Sequence, residues 1–146
     1  MYFVDQRKIE ETLLYMEKVW REMNQVRLQT FSERLSYERM VHVSIESILD
    51  VGNMMIDGFI MRDPGSYNDI IDILVDESVL PKEDEQHYKE FIALRKEIVN
   101  EYTAVNHERI KQVVEECNPV LQAFGTHVRT YLKNELGVAN AFTNPN

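Results

Sequence analysis

Apolar residues recur every three or four positions through most of this chain, and no stretch alternates as a strand would. Over residues 5–26 the positions Ile9, Leu13, Met16, Trp20 and Met23 trace one helical face, with Asp5 placed to cap its start. The pattern weakens over 28–36, where the first turn is expected. A second helix is predicted over 37–60 on a stripe of Val41, Ile45, Ile48, Gly52, Met55 and Phe59. Gly52 in that stripe costs a helix about 1 kcal/mol relative to Ala, which implies that another backbone comes close. The run Arg62-Asp63-Pro64-Gly65-Ser66 ends the helix as a loop.

Ser66 or Asp63 can cap a short helix carrying Ile70, Ile71, Leu74 and Val75. Leu80-Pro81 interrupts it, and Pro81 suits the first position of a fourth helix over 81–105. The last helix begins near Asn106 and carries Ile110, Val113, Cys117, Val120, Phe124, Val128, Tyr131 and Leu136. Asn118-Pro119 should kink it, and 137–146 reads as a loop tail. The expected fold is all-α: four long helices and one short one in a single domain over 1–146.

Composition adds exclusions. A domain of 146 residues buries roughly 68–70% of its unfolded surface, so it needs no disulfide or metal staple. The one cysteine, Cys117, sits in the apolar stripe as a small core residue and has no partner in the chain, which favours the cytoplasm. The opening MYFVDQRKIEE lacks the apolar run of a signal peptide, and no run approaches the ~18 apolar residues of a membrane span. A net charge of -9 opposes non-specific attraction to DNA, RNA or anionic lipid. Neither a Gly-rich phosphate loop nor metal-type Cys/His spacing occurs, and the paired Glu-x-x-His of di-iron bundles is missing. No metal or cofactor is therefore expected. His42 and Glu46 stand one turn apart, the spacing of a polar contact on a helix. Met54, Met55 and Met61 read as core fillers, with a ligand-binding groove as the lesser alternative.

The fourth helix holds the chemically informative residue. At about 100° per residue, Tyr88, Phe91, Ile92, Ile98, Val99 and Tyr102 share a face, and Arg95 falls near its centre. An unpaired guanidinium there would cost several kcal/mol. Arg95 must therefore pair with an acid such as Glu46 or Asp50, or face a polar cleft or an interface.

The segment Arg95-Lys96-Glu97-Ile98-Val99-Asn100-Glu101-Tyr102 resembles the Arg-x4-His-x-Tyr motif of the HepT-like ribonucleases in the HEPN superfamily, with Asn100 where the family has His. The likeness runs through MYFVDQRKIEETL, IESILDVGNMMIDGFIMRDPGSYNDIIDILVDE and YLKNELG, and is closest to the YutE-type branch. It implies a HEPN-like helical bundle that forms a homodimer, with the motifs of both chains lining a shared cleft. It also implies metal-independent RNA cleavage by a toxin paired with a MntA-like nucleotidyltransferase antitoxin that modifies the motif tyrosine, here Tyr102. Arg95 and position 100 would then be catalytic. Asn100 can hold a phosphate or a water but cannot exchange a proton near neutral pH. Losing acid–base help typically costs about 10²–10⁴ in rate, so cleavage should be slow or lost unless His107, Glu97 or Glu101 substitutes. The alternative is a non-catalytic HEPN dimer that binds a nucleotidyltransferase or another protein.

Overall fold

A computed structural model describes residues 2–143, and their side chains through 137. The helices are α1 (Gln6–Met23), α2 (Phe31–Gly58), α3 (Tyr67–Asp76), α4 (Glu85–Asn100), α5 (His107–Gln122) and α6 (Phe124–Thr143). A 3-10 turn over Lys82–Asp84 leads into α4. No strand occurs among the described residues, so the all-α expectation holds.

The apolar stripes become one core. Ile9, Leu13, Met16, Trp20 and Met23 of α1 are all buried against α2, whose Val41, Ile45, Ile48 and Met55 are also buried. The short α3 bridges α2 and α4, and α4 lies against α5. Met54 and Met61 pack at the core's edge and Met55 within it, as fillers rather than the lining of a groove. Cys117 is buried, as its spacing implied.

Ends and breaks depart from expectation in several places; α4, for one, begins at Glu85, after the 3-10 turn that Pro81 precedes, rather than at Pro81 itself. First, α2 starts at Phe31, six residues before the predicted Tyr37. Thr30 and Glu33 form a reciprocal capping box: Thr30 Oγ1 accepts from Glu33 N at 3.1 Å, and Glu33 Oε1 from Thr30 N at 2.9 Å. Second, α4 ends at Asn100 rather than 105, because the next residues form a turn tied back to Glu97. Tyr102, assigned above to the apolar face, therefore lies outside the helix and is 67% exposed.

Third, the last helix is two. Pro119 lies within α5, and the interruption falls at Ala123, four residues later. Proline withdraws one N–H from the ladder, but Trp20 Nε1 donates to Asn118 Oδ1 at 2.8 Å and holds this stretch against α1. Fourth, residues 137–143, expected as loop, continue α6, while 144–146 lie outside the described residues.

Two glycines explain close approaches. A Cβ on Gly52 would lie 2.6 Å from Ile70 Cγ2, so the neighbour is an α3 side chain rather than the backbone expected. A Cβ on Gly125 would lie 2.6 Å from Glu17 Oε2 and 2.8 Å from Arg129 Nη1. Its absence admits a clamp between the first and last helices. Arg129 donates from Nη1 and Nη2 to Glu17, both at 2.9 Å, and from Nε to Glu10 Oε2 at 3.0 Å.

Candidate active site

On α2, Glu38, His42 and Glu46 follow one another at intervals of four and so share a helical face. That face meets α4 and the start of α5. Arg95, from the middle of α4, donates from Nε to Glu46 Oε1 at 2.6 Å. The partner is the first of the two acids the sequence offered, and the bond raises the guanidinium further above its ordinary pKa. The Arg95 side chain retains 26% exposure, so it lies at the margin of the apolar stripe rather than within it.

Tyr67, the first residue of α3, places its ring 4.9 Å below the guanidinium carbon. Ser66 fixes α3's start by accepting from Asp69 N at 3.1 Å. Arg62 grips Asp69 with two bonds of 2.7 and 2.8 Å, and Gly65 N adds a third at 2.8 Å. The loop signal of the sequence thus has a structural purpose: it sets the platform beneath Arg95. Among the described residues no group hydrogen-bonds Nη1 or Nη2 of Arg95. One edge of the guanidinium is thus oriented by Glu46.

His42 approaches the same carboxylate, with Nε2 3.7 Å from Glu46 Oε1. One turn and more away, His107 Nε2 pairs with Glu38 Oε2 at 2.7 Å. Glu97 accepts from Asn106 N at 2.7 Å and from the guanidinium of Arg109. Burial pushes the Glu97 carboxyl up in pKa, but the Asn106 amide and Arg109 outweigh it and leave the group lowered. Glu97 is therefore a strap that closes the turn after α4, and it stays ionised.

The other two motif residues do not touch Arg95. Asn100 is the exposed last residue of α4. Five positions after Arg95, it points about 140° around the helix and lies roughly 7.5 Å along it. Tyr102 stands on the strapped turn, with no hydrogen bond to Arg95 among the described residues. Within one chain the cluster is Glu46, Arg95, Tyr67 and His42. Sequence reasoning missed Tyr67 and Glu38 altogether. The four-residue spacing of Glu38, His42 and Glu46 was the available signal.

The fold recurs in solved structures. A tri-AMPylated HEPN toxin of Shewanella oneidensis, solved in complex with MNT antitoxin, superposes with a TM-score of 0.75 at 17% identity, over 84% of this chain and 96% of that one. The solved structure of YutE from Bacillus subtilis, described as a cytosolic protein of unknown function, superposes with a TM-score of 0.91 over 94% of this chain and 96% of its own. In sequence, YutE of Bacillus subtilis (strain 168), provisionally named an RNase, is 44% identical over 143 residues, 97% of this chain and 99% of YutE. The family described as Ribonuclease HepT-like matches residues 9–128. This chain belongs to the HepT-like ribonuclease family.

Proposed function

We propose that the protein is a slow, metal-independent endoribonuclease, the toxin half of a toxin–antitoxin pair, acting in the cytoplasm as a homodimer. The observation that carries this reading is the half-satisfied Arg95. Glu46 fixes Nε, Tyr67 supports the plane, and the free edge presents two donors to a phosphodiester. Such a fork binds phosphate oxygens bidentately and neutralises charge that builds on phosphorus. Attack by the RNA's own 2′-hydroxyl requires no metal, and no helix of the described residues is long and apolar enough to cross a membrane.

Asn100 is exposed at the end of α4 and Tyr102 follows on the turn, so both are accessible to a second copy or to a partner. In the homodimer the two motifs line one cleft, which would add Asn100 of the second copy to an Arg95 that its own Asn100 does not reach. Light scattering that shows only monomer at tens of micromolar would refute the dimer. The partner is a MntA-like nucleotidyltransferase, and the exposed phenol of Tyr102 is its acceptor. The second reading, a non-catalytic dimer that binds this partner, is favoured by Asn100 and by the net charge of -9.

Cleavage of a labelled RNA in the presence of chelator separates the two. Slow wild-type cleavage is expected. Arg95→Ala should abolish it, and Asn100→His should raise it by supplying a proton carrier, by up to about 10²–10⁴ where proton transfer limits the rate. Robust cleavage indifferent to Arg95→Ala would overturn the site. An inert wild type and an inert Asn100→His would favour the binding dimer.

A further inference from the structure

The site has an anion-binding arm but, at position 100, no residue that exchanges protons. The chain holds four histidines, and their placement narrows the choice. His127 lies on α6 beside Asp84, 4.0 Å away, and His87 lies two turns before Arg95 on α4, near Cys117. His107 is held by Glu38 at 2.7 Å with its side chain 17% exposed. Its partner sits eight residues from Glu46, about 12 Å along α2. His107 is thus anchored to a carboxylate about two helical turns from the one that Arg95 contacts.

His42 is different. It approaches the same Glu46 oxygen that accepts from Arg95, so the imidazole and guanidinium converge on one carboxylate. Its side chain is 26% exposed, as open as Arg95's, and among the described residues its Nδ1 makes no hydrogen bond. Nε2 faces that carboxylate at 3.7 Å. The other nitrogen is then free for chemistry.

We infer that His42 is the proton acceptor of the Arg95 site, standing in from α2 for the histidine absent at position 100. The inference rests on the ribonuclease reading above. Nδ1 of neutral His42 takes the 2′-hydroxyl proton as O2′ bonds to phosphorus. The P–O5′ bond breaks on the opposite side, and its electron pair stays on O5′, which takes a proton from water. Protonated His42 returns its proton to the hydroxide so formed. The products are a 2′,3′-cyclic phosphate and a 5′-hydroxyl, with no net gain or loss of protons or electrons. Arg95 Nη1 and Nη2 hold the phosphoryl oxygens throughout. Glu46 has two tasks: it aligns Arg95, and it faces the positive charge that forms on His42.

The test is cleavage of a labelled RNA with chelator present, by wild type, His42→Ala, His42→Gln and Arg95→Ala, each checked for native helicity. His42→Ala and His42→Gln should each lose about 10²-fold or more. Added imidazole should restore part of the His42→Ala rate and none of the Arg95→Ala rate. Gln keeps the size and polarity of the position, so it reports on proton transfer even where Ala disturbs packing. Wild-type rates in both His42 variants, with Arg95→Ala inactive, would overturn the role of His42 and leave the ribonuclease reading standing. Activity retained by His42→Gln but lost by His42→Ala, without imidazole rescue, would reduce His42 to packing and overturn it as well. A wild type that leaves RNA intact would overturn both readings.

Discussion

Replacing Gly52 by Ala should destabilise this protein, although the same change in an open helix stabilises by about 1 kcal/mol. The added methyl would lie 2.6 Å from Ile70 Cγ2 and 3.4 Å from Leu74 Cδ1. Cγ2 is attached directly to the branched Cβ of Ile70, so no soft terminal torsion can move it aside. Ile70 and Leu74 are both buried, which leaves displacement of α3 as the main relief. Overpacking of this kind costs about 1–3 kcal/mol, and subtracting the propensity gain leaves a net loss of about 1 kcal/mol. Urea unfolding followed through the single buried Trp20 measures it directly. A double-mutant cycle sharpens the test. Ile70→Ala alone should cost about 2–5 kcal/mol, but together with Gly52→Ala it should cost less than the sum, because the new methyl occupies part of the vacated space. Movement of α3 would also move Tyr67 from beneath Arg95, so Gly52→Ala should impair RNA cleavage without altering any site residue. Stabilisation by about 1 kcal/mol, or strict additivity in the cycle, would refute the close-contact reasoning.

Three further outcomes are expected. Burial, aided by the charges of Glu90 and Glu116, pushes the Cys117 thiol up to about 11, so at pH 8 it should react with a disulfide reagent roughly 10²-fold more slowly in the native state than in urea; equal rates would contradict this. Arg62, with the Gly65 amide, holds the Asp69 carboxyl down to about 2. Since the folded value is depressed, this anchor is complete above the ordinary Asp value of about 4 and lost as pH falls through about 2; hydrogen exchange at Gly65 should accelerate over that window, and Asp69→Asn should remove the pH step. Ile60 holds φ 55° with its side chain 76% exposed, so Ile60→Gly should stabilise by about 1 kcal/mol, and a lowered melting temperature would show that the side chain is needed there.

Helices α1 and α2 were legible because their stripes are long and regular, and one face of each is buried. Their ends were less so. The Thr30–Glu33 capping box was present in the sequence, but the mixed polarity of 28–36 hid it. Asp5 and Ser66 act as the caps the sequence suggested, each accepting a backbone N–H from three residues on. The end of α4 depends on Arg109 and Asn106 reaching back to Glu97 from beyond the turn, and no local pattern reveals that. The site followed the same division. Arg95 stood out because a charge on an apolar stripe demands a partner, and Glu46 was among those named. Tyr67 could not be found, because it reaches Arg95 only through the docking of α3 on both α2 and α4. His42 carried a visible i, i+4 relation to Glu46, but that spacing gives no hint that Arg95 arrives at the same oxygen.

The Arg129 clamp has a bearing on how the molecule is made. Its partners Glu10 and Glu17 precede it by 119 and 112 residues, so a growing chain displays both acids without this partner until residue 129 has left the ribosome. Every residue assigned to RNA chemistry, from His42 to Tyr102, emerges earlier. A chain cut short before residue 129 would carry the full set of reactive groups without the closure of α6 against α1. Premature termination should therefore yield an open, easily degraded bundle rather than a smaller stable domain.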